Sequence, residues 1–238
     1  MKASDKVFAE KIYLFLSTLF ITSLVVSNII FQKFFYWYPL DFSLLGQPLF
    51  EISVGLLPYP LTFLITDLIS EIYGKRRANI IVVIGIFASF FSAGILLLGN
   101  ALPAVDYSPI NDSLYEKVFA LSPIAALASM IAYLIAQFVD IRIYHFWKKL
   151  TKGKMLWLRN NLSTFTSQFL DSVTVVGLLC SFKVLNWDNF WGLSMASFIF
   201  KIMIAIVDTP FLYIFVHLFR KRFSLRIGQE IDWNTNDE

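Results

Sequence analysis

The stretch YPLTFLITDLISEIYGKRR, residues 59–77, decides how the chain is read. It is apolar enough for the inner half of a membrane helix, yet it carries Asp67 and Glu71 ahead of a basic end at Lys75, Arg76 and Arg77. A charge at the bilayer centre costs about 3 kcal/mol or more, so such residues face a bundle interior or water and mark functional sites.

The rest of the chain supplies the same solvent. It is 57% apolar with a mean hydropathy of +0.65, well above a water-soluble domain. Several apolar runs reach about 20 residues, the length that crosses a bilayer core. The expected fold is all-α, a polytopic membrane protein with a bundle of about six transmembrane helices in a single transmembrane domain over 1–238. The spans fall near 11–32, 51–73, 78–99, 118–145, 162–183 and 190–218. The first is too long, and too polar at Ser27 and Asn28, for a cleaved leader. The second contains Pro58 and Pro60. Its start, FEISVGLLPYP (50–60), is interrupted by Gly and Pro and reads as extended or re-entrant backbone, which membranes tolerate only inside protein or along a cavity. The stretch 33–50 is aromatic and too short for a full span.

Charge gives the orientation. Sixteen of the 20 basic residues lie on one side: Lys2, Lys6 and Lys11; Lys75, Arg76 and Arg77; Arg142, Lys148, Lys149, Lys152, Lys154 and Arg159; and Arg220, Lys221, Arg222 and Arg226. Lys33, Lys117 and Lys183 fall on the other side. The positive-inside rule then places both termini in the cytoplasm. Trp37, Trp187 and Trp191 suit the outer interface, Trp147 and Trp157 the inner one. The net charge of +3 is spread through short loops, so no nucleic-acid partner is implied. Membrane lipid is a partner by composition, and a homo-oligomer is left open.

Several chemistries are not supported. Cys180 is the single cysteine, so neither an intrachain disulfide nor a thiolate metal cage is expected. His145 and His217 are far apart and sit among aromatic and apolar residues. No Walker-type phosphate loop occurs. No metal ligand set, cofactor or catalytic residue is expected.

The polar residues at depth carry the candidate site. Asp67 lies seven residues before Gly74, about 10 Å from the helix end, with Thr62 and Thr66 nearby and no cation on its own helix. Glu71 is one turn away and can pair with Lys75 at i,i+4. Asp171 is about 14 Å into the fifth span, and Gln168, Ser167 and Thr164 share its face. Lys201 and Asp208 share a face of the sixth span, with Pro210 beside Asp208. Lys201 is either an ion-pair partner of Asp171 or a ligand group. Asp140, with Arg142 close by, reads as a satisfied interfacial carboxylate. Asn28 ends the first span. Arg159, Asn160 and Asn161 open the fifth, either as a cap with Arg159 at the headgroups or as a polar mouth for a planar heterocycle or anion.

PLTFLITDLISEIYGKRRA (60–78) and WLRNNLSTFTSQFLDS (157–172), together with Asn28, resemble the queuosine precursor transporter family, also called the YhhQ family, of bacterial inner-membrane proteins. The likeness runs from the first span to Pro210. It implies one multi-pass transporter domain that takes up 7-deazaguanines such as preQ0, preQ1 or queuine. Such a ring presents an N1–H and an amine as parallel donors, which one carboxylate accepts in bidentate fashion. The expected binding residues are Asp67, Gln168, Asp171, Asn28 and Asn161, with Glu71, Lys201, Asp208 and Arg159 as coupling or structural charges. A second reading is the substrate-binding subunit of an energy-coupling-factor importer. The first span, LFLSTLFITSLVVSN (14–28), lacks the AxxxA pattern with which those subunits dock an ATPase. A third, ranked last, is an intramembrane aspartyl hydrolase in which Asp171 and Asp208 meet.

Overall fold

The computed structural model describes residues 3–30, 33–36, 43–44, 47–48, 51–119, 123–183 and 185–231; Trp37 lies outside them. Helix α1 (Ala3–Ile30) leads to four short strands, β1 (Phe34–Tyr36), β2 (Ser43–Leu44), β3 (Gln47–Pro48) and β4 (Glu51–Ser53). β1 pairs antiparallel with β4, and β2 with β3, setting Phe34 opposite Ser53 and Ser43 opposite Pro48. A 3-10 turn (Val54–Leu56) precedes α2 (Tyr59–Ile72) and α3 (Lys75–Ala101). Then come α4 (Asp112–Phe119), α5 (Pro123–Leu150), α6 (Leu156–Ser181) and, after a second 3-10 turn, α7 (Phe190–Phe223). Five long helices and the shorter α2 make the expected all-α bundle.

The second span is extended at its start, as its Gly and Pro residues suggest. It is a strand, a 3-10 turn and a 14-residue helix, the helix about 21 Å long and short of the roughly 30 Å core. The cause is local. Pro58 and Pro60 occupy the start of α2, where a missing N–H costs nothing. Upstream, the Gly55 N–H donates to Ser53 Oγ at 3.1 Å and the Val54 N–H to the Lys33 carbonyl at 2.7 Å. The irregular backbone is thus satisfied by protein, as hydrocarbon requires. At the far end the Tyr73 and Gly74 N–H groups both donate to the Ile69 carbonyl, at 2.8 and 3.0 Å. Gly74 then turns the chain at φ +85°, a conformation that favours glycine.

Other boundaries also move. The fourth span begins at Pro123 rather than 118, because α4 takes residues 112–119 of the outer loop. α6 starts at Leu156, six residues early, behind a left-handed Met155. α7 runs unbroken through Pro210 and stops at the left-handed Ser224.

The surface is that of a protein solvated by lipid. Ser4–Ile30, Lys75–Ala101 and Trp187–Phe223 are long and apolar enough to cross a membrane. Val83, Phe87 and Phe91 of α3 and Val207, Ile214 and Leu218 of α7 point outward, a density of exposed apolar side chains that water would not tolerate. α1 and α3 approach closely at Gly85, where a β-carbon would meet Phe20.

Charged ends gather at one pole. Arg222 pairs with Asp5 at 2.9 Å, the Tyr13 hydroxyl donates to the Arg77 carbonyl at 3.1 Å, and Tyr73 donates to the Ala9 carbonyl at 2.9 Å. The segment after α7 folds back onto this pole. The Ile231 N–H donates to the Ile72 carbonyl at 2.8 Å, Ile231 is buried, and Glu230 pairs with Lys148 at 2.9 Å. The start of α1, the α2–α3 corner, the α5–α6 turn and the end of α7 therefore share one end of the bundle.

Candidate functional site: two cavities divided by an ion pair

α6 carries the polar face read from its sequence. Ser163, Thr164, Ser167, Gln168, Asp171 and Ser172 are all buried, and the face packs between α5 and α7. Two cavities open along it.

The first lies toward the basic pole. Its walls follow a four-residue stride, which keeps side chains on one helix face: Tyr59, Phe63 and Asp67 from α2, and Asn160, Thr164 and Gln168 from α6. α7 adds Phe200, Lys201 and Asp208. Among the described residues, Asp67 Oδ1, Thr164 Oγ1 and Gln168 Oε1 are buried and find no hydrogen-bond partner. Unmet polar atoms in a folded interior cost about 1–3 kcal/mol each, so three around one aromatic-walled space make it the candidate ligand site.

The second, larger cavity lies toward the opposite pole. Asn28, Ser53, Ser89, Ser129 and Ser197 line it, with Asp171 at its floor. Asn28 donates to Ser89 Oγ at 3.3 Å.

Between the two stand Leu56, Tyr59 and Lys201, which line both. Lys201 Nζ donates to Asp171 Oδ2 at 2.5 Å and to Ser172 Oγ at 3.3 Å. The same ammonium sits 5.4 Å from the Tyr59 ring centre, and Tyr59 packs against Phe63 and Tyr133, each with ring centres 5.5 Å away. Lys201 and Asp171 thus form the buried ion pair rather than two free ligand groups. Gln168 and Asp171, one turn apart, face different cavities. Asp208 lines the first cavity and Asp171 the second.

Glu71 is not an interfacial partner of Lys75; it is fully buried. The corner at Gly74 breaks the helix between them. Glu71 accepts from Arg159 Nη2 at 2.6 Å, from Tyr144 Oη at 3.0 Å and from Arg220 Nη2, with Lys148 Nζ 3.6 Å away. Arg159 is likewise fully buried and not at the headgroups. Its Nη1 donates to the Gly153 and Lys154 carbonyls at 2.8 and 2.9 Å. Asp140, read as interfacial, is fully buried and accepts from Ser167 Oγ at 2.9 Å. Asn161 is turned from the cavity, donating to the Trp157 carbonyl at 2.7 Å; its neighbour Asn160 lines the wall instead. Sequence reasoning missed Tyr59, Phe63 and Phe200, and named Asn160 only as part of a polar mouth. The stride 59–63–67 was the signal available for Tyr59 and Phe63.

A lipid-solvated helical bundle with a half-length helix and polar cavities on both sides of a buried ion pair is the architecture of a membrane transporter. The chain belongs to the family described as "Putative vitamin uptake transporter", which matches residues 53–215. It is 26% identical over 164 residues to a Bacillus subtilis (strain 168) protein named "Probable queuosine precursor transporter", a match covering 68% of this chain and 70% of that protein. No solved structure matches.

Proposed function

We propose that this transporter takes up 7-deazaguanine precursors of queuosine (preQ0, preQ1 or queuine) across a bacterial inner membrane, with the basic pole and both termini in the cytoplasm. The observation that carries the reading is the first cavity: Asp67, Thr164 and Gln168, each with a side-chain oxygen that finds no partner among the described residues, line it together with Tyr59, Phe63 and Phe200. The heterocycle is flat and apolar on its faces, so the aromatic walls take the ring. Its N1–H and exocyclic amine meet the Asp67 carboxylate. The amides of Gln168 and Asn160 answer the carbonyl and ring nitrogens. Rings lacking these edge groups strand the buried polar atoms and are rejected. The name of the B. subtilis relative agrees with this choice. Substrate enters through the second cavity, past Asn28, and reaches the first when the Tyr59–Lys201–Asp171 partition opens.

Uptake of labelled preQ0, preQ1 and queuine by cells unable to make them tests the reading. Expression of the chain should confer uptake, and Asp67→Asn should abolish it at equal membrane abundance. Cells that gain no uptake of any of the three would refute the proposal.

A further inference from the structure

Asp67 of α2 and Asp140 of α5 face each other at hydrogen-bonding distance inside the bundle. They are 3% and 0% exposed. One oxygen of Asp140 takes the Ser167 hydroxyl at 2.9 Å, while Asp140 Oδ2 and Asp67 Oδ1 meet no donor among the described residues. The charged and titratable groups around them do not supply one. α6 offers Arg159, but its hydrogen bonds go to Glu71, Tyr144, Gly153 and Lys154. α5 adds Tyr144, whose hydroxyl donates to Glu71, and Tyr133, which accepts from Gln137 at 2.9 Å. α7 adds another acid, Asp208. Two facing carboxylates in a medium of low dielectric repel strongly, and among the described residues no cation forms an ion pair with either of them. The pair is not sealed off either. Asp67 opens on the first cavity together with Thr164 and Gln168, whose own oxygens are buried and unpartnered.

We propose that Asp67 and Asp140 share one proton, and that this proton is the ion coupled to uptake. The second clause rests on the transport reading; the first does not. In the empty protein the proton bridges the two carboxyl groups. When a substrate presents two N–H donors, Asp67 must become a full acceptor, and the proton passes wholly to Asp140. As substrate leaves the first cavity the proton leaves with it, past Asp208 toward the basic pole, and the pair is reloaded from the opposite side. Only O–H bonds break and form, and one proton crosses per substrate.

The test uses the full chain, first as purified protein without substrate. Infrared spectra near neutral pH should contain a protonated carboxyl band that shifts in deuterium oxide and is lost in both Asp67→Asn and Asp140→Asn, each checked for folding by its thermal midpoint. A wild-type protein without such a band, or a band that survives both substitutions, overturns the shared proton. Asp140→Glu, which keeps the acid, should retain the band if either amide variant fails to fold. Proteoliposomes then test coupling with labelled preQ0. An inward proton gradient should drive accumulation, and in Asp140→Asn the ratio of gradient-driven accumulation to equilibrium exchange should fall at least about tenfold. Accumulation driven by a sodium gradient and indifferent to pH would overturn the coupling clause. Absence of exchange of preQ0, preQ1 and queuine alike in the wild type would sink the uptake reading, and the infrared result decides the shared proton regardless.

Discussion

Arg159 Nη2 lies 2.6 Å from Glu71 Oε1, and neither side chain is exposed. This contact ties the end of α2 to the start of α6, the two stretches whose residues also line the first cavity. Lys148 and Arg220 join the same carboxylate from α5 and α7, so one acid holds four helices at the basic pole.

Glu71→Gln should therefore act on folding. Removing this anion leaves Arg159 and Arg220 against a neutral amide, while Lys148 keeps Glu230, at a cost of about 3–5 kcal/mol for a broken buried pair. Membrane abundance and the thermal midpoint should both drop. Asp67→Asn, in contrast, should leave the midpoint near wild type and remove uptake. A Glu71→Gln protein as stable as wild type would contradict the assignment.

The Lys201–Asp171 pair predicts a rescue. Lys201→Ala strands a carboxylate between the two cavities and should lower abundance sharply. Combining it with Asp171→Asn removes both charges and should restore part of the loss. Quantitative blotting of the three variants measures this, and an additive loss in the double variant would count against the pair.

Asn160 and Asn161 separate the cavity wall from its back. Asn160→Ala should weaken preQ0 binding by about tenfold, equivalent to 1.4 kcal/mol. Asn161→Ala, whose side chain bonds the Trp157 carbonyl and accepts from Thr209 at 3.3 Å, should leave affinity within about twofold on the same scale. Equilibrium binding to the purified variants decides, and a reversed order would move the site off this face.

Topology can be read with reporter fusions. Asn111, between α3 and α4, and Lys152, between α5 and α6, sit at opposite ends of the bundle. They should report outside and inside respectively, and the same side for both would be incompatible with the expected orientation.

Much was legible in the residues alone. Apolar runs of membrane length, the one-sided distribution of basic residues and the polar stripe of α6 follow from periodicity and composition, because a helix presents every third or fourth residue on one face. The breakage of the second span was visible in Pro58 and Pro60, and the pairing of Lys201 with Asp171 was one of the two readings that their positions left open. Partners that come from distant parts of the chain were not visible. Glu71 looked like a mate for Lys75 four residues on, yet a single glycine corner redirects it to Arg159, Lys148 and Arg220. Asp140 looked interfacial beside Arg142, but its helix is rotated so that the carboxyl enters the bundle and meets Asp67.

The sequence by itself determined the solvent, the helices and their polar faces, since these depend on side-chain chemistry at local spacing. Tertiary structure alone decided which charges neutralise one another and which remain free. Asp171 is taken up by Lys201, whereas Asp67 keeps an unpartnered oxygen in the first cavity. That outcome depends on the rotation and depth of helices packed from residues far apart in the chain, which no local pattern encodes.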